Sequence, residues 1–178
     1  PGEAEALDLL MKIAASGSTS RLYKKLVVDA KVASSAGGDY SGSGLDSGTI
    51  SIYAIAADGV PLEKSEALAD EVLNDIVKNG VTAAELERAK SSYLADYVYE
   101  SDNQATLARR YGWNLAVGRT VADVEGWPAA ISKVTLDDIK KVAAEYLDVR
   151  HSVTGYLLPD KSGVADSSAP EAAGSVVQ

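Results

Sequence analysis

The feature that most constrains the fold of this chain is a series of helix-start signals that follows a single β-hairpin pattern. From residue 82 onward, four segments pair a capping residue with an acid or amide three positions later: TAAE at 82–85, SDNQ at 101–104, TVAD at 120–123 and TLDD at 135–138. The first two segments fit the capping-box pattern, in which the two side chains bond free backbone amides in the first turn of a helix, and the last two fit it more loosely. We therefore expect a helix to begin at each of the four places.

Three more helices are expected earlier in the chain. Between residues 3 and 15 the apolar residues recur at the spacing of one helical face. They are Leu7, Leu10, Met11 and Ala14. Gly17 suits the end of this helix, and the hydroxyls at 18–20 can cap a second one. A longer helix is predicted from Pro61 to about Lys78, where Asn79 and Gly80 stop it.

The β signal is concentrated in one hairpin. Residues 49–55 alternate apolar with smaller side chains, and 32–41 are small and tolerant of strand geometry. We predict strands near 32–41 and 48–57 with a Gly-rich turn between them. Residues 152–158 also alternate, which predicts a third strand, and Gly-Trp-Pro at 126–128 is expected to interrupt the helix after Thr120.

These elements together predict an α+β fold with an antiparallel sheet covered by helices. We assign residues 1–159 to one domain. The segment 160–178 is rich in Ser, Ala, Gly, Pro and Asp and is expected to be a flexible tail. Three strands are few for so many helices and the chain begins with Pro1, so we expect the domain to be truncated at its N-terminus.

Composition excludes several classes of function. The chain has no Cys and one His, so it cannot build a thiolate or polyhistidine metal site. A net charge of −9 disfavours binding to a nucleic-acid backbone. The sequence contains no run of eighteen apolar residues that would predict a membrane span.

Other candidate sites have ordinary structural interpretations. The Gly-rich run 37–48 precedes a strand, which favours a hairpin turn over a phosphate-binding loop. His151 lacks a second His or Cys and is expected to be an ordinary surface side chain. Tyr93 and Tyr97 share a helical face that excludes Tyr99, so packing is favoured over ligand binding. The run 109–111, Arg-Arg-Tyr, favours salt bridges over substrate contact.

Three sequence runs, in order, resemble the C-terminal half of the pitrilysin/insulinase family of zinc metallopeptidases. The first is GSTSRLYKKLV at 17–27, where the family commonly has Gly-x-Ser-Ser-Arg-Leu and then an aromatic residue. The second is NGVTAAELERAK at 79–90, and the third is VTLDDI at 134–139 with the later Tyr-Leu at 146–147. The resemblance covers most of residues 5–158.

The resemblance implies a clam-shell architecture in which this half carries no zinc. In the family, the inverted zinc motif H-x-x-E-H lies in the N-terminal half, and this chain does not contain it. The resemblance therefore implies no catalytic or metal-binding residue in this chain, and a zinc cofactor in the parent protein. The implied partners are an N-terminal zinc domain of the same chain, a peptide substrate and a homologous subunit.

Many family members place an Arg and a Tyr near the substrate, one at the end of a helix and one at the start of the next strand. The corresponding positions here are Val28 and Ser34, so the pair is replaced. In two-subunit bacterial members, the chain with the zinc motif lacks the Arg/Tyr pair. The resemblance thus favours a parent that is the zinc-bearing chain of a heterodimer.

Three hypotheses remain open at this stage. The first is the C-terminal domain of a bacterial zinc endopeptidase, inactive alone, which closes a chamber over the substrate. The second is a non-catalytic structural or substrate-presenting subunit of the same family, and the third is an unrelated α+β interaction domain. A periplasmic location is favoured over a cytoplasmic one, with any signal peptide upstream of Pro1.

Overall fold

The computed structural model describes residues 2–42 and 44–158. Within them, α-helices and one hairpin follow each other along the chain. The elements are α1 (Glu3–Ala14), α2 (Arg21–Tyr23) continuing as a π-turn (Lys24–Asp29), β1 (Ala33–Ser41), β2 (Thr49–Ala56), α3 (Leu62–Asn79), α4 (Ala83–Glu100), α5 (Gln104–Ala116), α6 (Val121–Lys133) and α7 (Leu136–Tyr146). A short 3-10 turn (Val149–His151) follows α7. The predicted α+β class is confirmed.

Helix α1 lies in the middle of the fold and is buried on more than one face. It packs against β1 and against helices α4, α6 and α7. The sequence predicted one apolar face, but Leu9 and Ile13 are buried as well, with 0% and 4% of their surface exposed. A helix that is apolar on nearly all sides belongs in the interior. Truncating a fully buried leucine such as Leu10 costs about 2–5 kcal/mol in proteins generally.

The predicted hairpin is confirmed. Strands β1 and β2 pair antiparallel from Ala33 opposite Ala56 to Ser41 opposite Thr49, with one irregularity near Ser35. One face lies on the core. Gly38 allows α1 to approach this face, because a Cβ there would come within 2.9 Å of the Ala15 methyl group.

Three of the four predicted helix starts are confirmed, and each has a capping box. Thr82, Thr120 and Thr135 each accept a hydrogen bond from the backbone of the third helical residue, whose carboxylate bonds back to the threonine amide. The pairing joins residues only three positions apart, so at these three places it depends little on distant contacts. This explains why these boundaries could be read from the sequence alone.

The fourth predicted box, at 101–104, is wrong in its capping residue. Helix α5 is capped by Asn103, whose side chain accepts from the Thr106 amide at 3.1 Å. The Ser101 hydroxyl instead donates to the Tyr97 carbonyl at 2.8 Å. Ser101 therefore closes α4, and the start of the next helix moves by two residues.

The predicted interruption of α6 at 126–128 is also wrong. The helix continues through Pro128 to Lys133. Proline at this position cannot donate a backbone hydrogen bond to the Val124 carbonyl, and its ring crowds that carbonyl. Packing of the preceding Trp127 against two tyrosine rings of α4 stabilises the helix across this point.

The predicted third strand at 152–158 is absent. In the described chain, the only paired strands are β1 and β2, and 152–158 has no assigned secondary structure. Ser152 has the φ and ψ of an extended residue, while Val153 and Leu157 are 99% and 94% exposed. Alternation predicts an extended backbone, but a strand also needs a neighbour to pair with, and no other described segment supplies one.

The predicted flexible tail, 160–178, lies outside the described residues, so its assignment stays a prediction. Most of the proposed domain 1–159 is described. Among those residues, no helix is both long enough and apolar enough to cross a bilayer.

Candidate functional site

The first two sequence runs that carried the family resemblance meet in space through an ion pair. Arg21 begins α2, and Glu85 lies in the first turn of α4, 64 residues away. The guanidinium donates from Nε to Oε1 at 2.8 Å and from Nη2 to Oε2 at 2.7 Å. A third donor, Nη1, bonds Asp75 of α3 at 3.0 Å. Arg21 therefore joins three helices.

Glu85 serves this ion pair and the capping box at the same time. Its Oε2 also accepts from the amide and the hydroxyl of Thr82, both at 2.8 Å. These donors, with Arg21 first among them, lower the pKa of Glu85 to about 2. The three guanidinium nitrogens of Arg21 each bond a carboxylate of α3 or α4. The most distinctive residues of the resemblance therefore hold the fold together.

Val28 and Ser34 lie on the surface, on either side of a tight connection. Val28 is in the π-turn and is 53% exposed, whereas Ser34 is exposed on β1 and donates to the Ile55 carbonyl at 3.3 Å. Between them, Lys31 has a positive φ of 52°. Both side chains are accessible, and their proximity to a substrate stays a prediction.

The described residues do not form a zinc site. In segments 2–42 and 44–158, no three side chains of His, Cys, Asp or Glu converge on one point. His151 is exposed in the 3-10 turn. Beside it, Asp148 accepts from the Arg150 guanidinium, which lowers the pKa of Asp148 to about 2. This donor set does not fit zinc, so no catalytic step is assigned to zinc in this chain.

The Gly-rich run has the structural role that was favoured. Residues 37–41 of the run lie within β1, and the described residues 42 and 44–48 lie between β1 and β2. The start of a helix, which a phosphate-binding loop requires, does not follow it.

The tyrosines of α4 divide between packing and exposure as predicted. Tyr93 and Tyr97 enclose Trp127, with ring centroids 5.7 Å apart in an edge-on contact and 5.8 Å apart in a stacked one. Tyr99, on the other side of the helix, is 77% exposed. Such aromatic pairs add about 0.5–1.5 kcal/mol to the effect of burial.

Arg110 has the predicted salt-bridged role. Its guanidinium bonds the Glu100 carboxylate and lies over the Tyr97 ring, 4.2 Å from the centroid. One of its nitrogens, Nη1, is buried without a hydrogen-bond partner among the described residues. An unmet donor of this kind is costly in a protein interior.

Sequence reasoning missed one residue in the same region, Asp8 of α1. Burial raises its pKa to about 6, opposed mainly by a hydrogen bond with the Trp127 side chain. The sequence showed an aspartate within an apolar helix, and that pattern was the signal that could have found it. Sequence analysis gave Asp8 no role, because it predicted a single apolar face for α1 and the helix is buried on more than one.

Comparison with known proteins gives a consistent result. The sequence model for the Peptidase M16 inactive domain matches residues 2–93. A curated relative, the zinc protease PqqE of Helicobacter pylori, is 26% identical over 157 residues, which are 86% of this chain and 34% of that protein. The chain thus spans about a third of the length of that relative.

Solved structures show the same fold. One is the inactive peptidase domain of a proposed zinc protease from Bordetella parapertussis, with a TM-score of 0.81 and 23% identity over 92% of this chain and 88% of that one. Another is a protease from Helicobacter pylori, with a TM-score of 0.73 and 21% identity over 83% of this chain and 35% of that one.

Proposed function

This chain belongs to the peptidase M16 inactive domain family, and we propose that it is the zinc-free C-terminal domain of a zinc-dependent endopeptidase. The observation that carries the proposal is the family match over residues 2–93, supported by similarity to a zinc protease of which the chain spans 34%. The donor-poor composition of the chain agrees with this role, since one His and no Cys cannot hold a catalytic zinc.

In the proposed enzyme, the zinc and its activated water belong to an N-terminal domain of the same chain. When bound there, zinc would lower the pKa of a water molecule and polarise the scissile carbonyl. The domain described here would close the chamber and contact the peptide. Its contribution is positional: a rigid surface that holds the peptide against the zinc domain and excludes bulk water.

Two features support a surface built for a partner. Tyr53 and Ile55 of β2 are 54% and 58% exposed on the hairpin face away from the core, and Val28 is 53% exposed. Neighbouring exposed apolar side chains, such as Tyr53 and Ile55 two positions apart on β2, are typical of sites of protein or ligand contact. We place the predicted substrate-proximal positions, Val28 and Ser34, toward the chamber.

Measurement of zinc and activity in the full-length parent protein tests the proposal. We expect about one zinc per chain and cleavage of a quenched-fluorescent peptide, alone or after mixing with a homologous partner subunit. A parent protein that binds no zinc would favour the second hypothesis, a structural or substrate-presenting subunit.

A photo-crosslinking amino acid tests the placement of Val28 and Ser34. Installed in the parent at position 34, it is expected to capture a bound peptide. The same group at Asp102, which is exposed between α4 and α5, provides the control. Equal capture at both positions, or none at position 34, would contradict the placement.

A further inference from the structure

A cavity of about 370 Å³ lies among α1, α4, α5 and α6. Four aromatic side chains line it: Tyr40, Tyr93, Tyr97 and Trp127. The wall also carries charged groups, of which most are paired within the protein. Asp96 pairs with Lys12 at 3.6 Å, Glu100 pairs with Arg110, and Asp123 caps α6. The volume is at the lower end of the range for small-molecule sites.

Two carboxylates of this cavity form no ion pair with the described residues, although the wall also holds two arginines, Arg110 and Arg119. Asp8 and Glu5 lie three residues apart on α1, and both line the cavity. Among the described residues, neither forms an ion pair. Burial and the charge of Glu5 raise the pKa of Asp8, whereas the hydrogen bond with the Trp127 side chain and the more distant charge of Arg119 oppose this. Arg119 itself donates to the Gly42 carbonyl at 3.2 Å. Two neighbouring carboxylates in a partly desolvated site favour the binding of a cation.

The aromatic walls favour the same kind of ligand. The faces of tyrosine and tryptophan rings attract cations, by about 0.5–2 kcal/mol depending on solvation. The protein already makes this contact with one ring of the cavity wall, since Lys12 Nζ lies 4.9 Å from the Tyr93 ring centroid. An inorganic cation would need oxygen ligands at short range, whereas an organic one also uses the rings.

A second unmet group indicates that the ligand carries an acceptor as well as a cation. Nη1 of Arg110, a residue in the cavity wall, is buried and has no partner among the described residues. A carbonyl oxygen would satisfy it. A basic amino-acid residue in a peptide offers both groups, with its positive charge at the end of a flexible aliphatic arm.

We propose that this cavity binds the side chain of a lysine or arginine residue presented by a peptide, with Asp8 and Glu5 as counter-charges, the aromatic rings around the alkyl arm and Arg110 at a backbone carbonyl. The inference does not depend on the peptidase assignment, because binding to the chain can be measured whether or not its parent cleaves peptides.

Tryptophan fluorescence provides the measurement. The chain has two tryptophans, so Trp113→Phe leaves Trp127 of the cavity as the only reporter. The probes are blocked single residues: Nα-acetyl-lysine methylamide, the arginine equivalent and the norleucine equivalent, which has an alkyl arm and no charge. We expect saturable binding of the two basic probes, at least about tenfold tighter than norleucine.

Asp8→Asn is the decisive variant, because the amide keeps an acceptor for the Trp127 side chain and loses the charge. It is expected to weaken lysine binding by about tenfold or more, and Glu5→Gln by a smaller factor. Asp58→Asn, on the exposed turn after β2, is the matched control and should bind lysine with the same affinity as the chain that keeps Asp58. Equal binding of lysine and norleucine, no detectable lysine binding, or unchanged lysine affinity in Asp8→Asn would each overturn the proposal.

Discussion

The ion pair between Arg21 and Glu85 gives the sharpest prediction for stability. In Glu85→Gln, the amide can still accept from Thr82, since glutamine is accepted in a capping box. The variant therefore keeps the cap and removes the charge that holds Arg21. We expect a loss of folding stability at neutral pH with the fold retained.

The size of the loss follows from the pKa of Glu85, which falls from 4.5 to about 2. Each pKa unit corresponds to about 1.4 kcal/mol, which sets an upper limit of about 3 kcal/mol. The two side chains are 22% and 17% exposed, so solvent screening reduces this, and we expect about 1–2 kcal/mol. In a chain of this length, that lowers Tm by about 2–8 °C.

The pH dependence has a definite sign. Because folding lowers the pKa of Glu85, its stabilising effect is complete above about pH 4.5 and is lost as the pH falls towards 2. Urea unfolding of the 178-residue chain and Glu85→Gln at pH 7 and pH 3 measures the difference. The difference in free energy of unfolding between the two proteins should be less than half as large at pH 3 as at pH 7.

Asp123→Asn is the matched control, since Thr120 and Asp123 form the same box and the described contacts of Asp123 include no arginine ion pair. This variant measures the loss of stability that comes from removing the negative charge of the capping carboxylate. If Glu85→Gln costs no more than Asp123→Asn at pH 7, or if its cost is the same at pH 3, the reasoning about the ion pair is refuted.

Three further predictions concern other parts of the chain. Asp8→Asn should raise stability at pH 7. Folding raises the pKa of Asp8 from 3.8 to about 6, so the stability of the unmodified chain falls as the pH rises through this range. Urea unfolding at pH 4 and pH 7 measures the effect of the variant, and an equal effect at both pH values would contradict this prediction. Gly38→Ala should destabilise the chain by about 1–3 kcal/mol, because its Cβ would lie 2.5 Å from the Ser51 carbonyl oxygen. Gly112→Ala, inside α5 with open space around it, should instead stabilise by about 0.5–1 kcal/mol, so thermal unfolding that ranks the two glycine variants the other way would reject the packing argument. Metal analysis of the dialysed chain should find much less than one zinc per molecule, and stoichiometric zinc that is lost in His151→Ala would reverse that expectation.

Local signals explain what the sequence predicted correctly. A capping box needs only residues three positions apart, and a hairpin needs two short runs and a turn, so Thr82, Thr120, Thr135 and the β1–β2 pairing were all predictable. The formation of these elements depends mainly on residues that are close together in the sequence.

The errors occur where distant contacts decide between local alternatives. Pro128 is tolerated in α6 while Trp127 packs against α4. The segment 152–158 has the alternation of a strand without a described neighbour to pair with. The same limit applies to the cavity, because its aromatic and acidic residues come from three helices and the hairpin, and no spacing in the sequence links them.

The central claim is that this domain contributes to peptide hydrolysis through position, with the zinc held elsewhere. Its most direct test is cleavage of a quenched-fluorescent peptide by three samples: the full-length parent, its N-terminal part lacking residues 1–158 of this chain, and that part mixed with the 178-residue chain. We predict activity in the first, a large loss with zinc retained in the second, and partial recovery in the third. Full activity with this domain removed, or hydrolysis by the 178-residue chain alone, would contradict the claim.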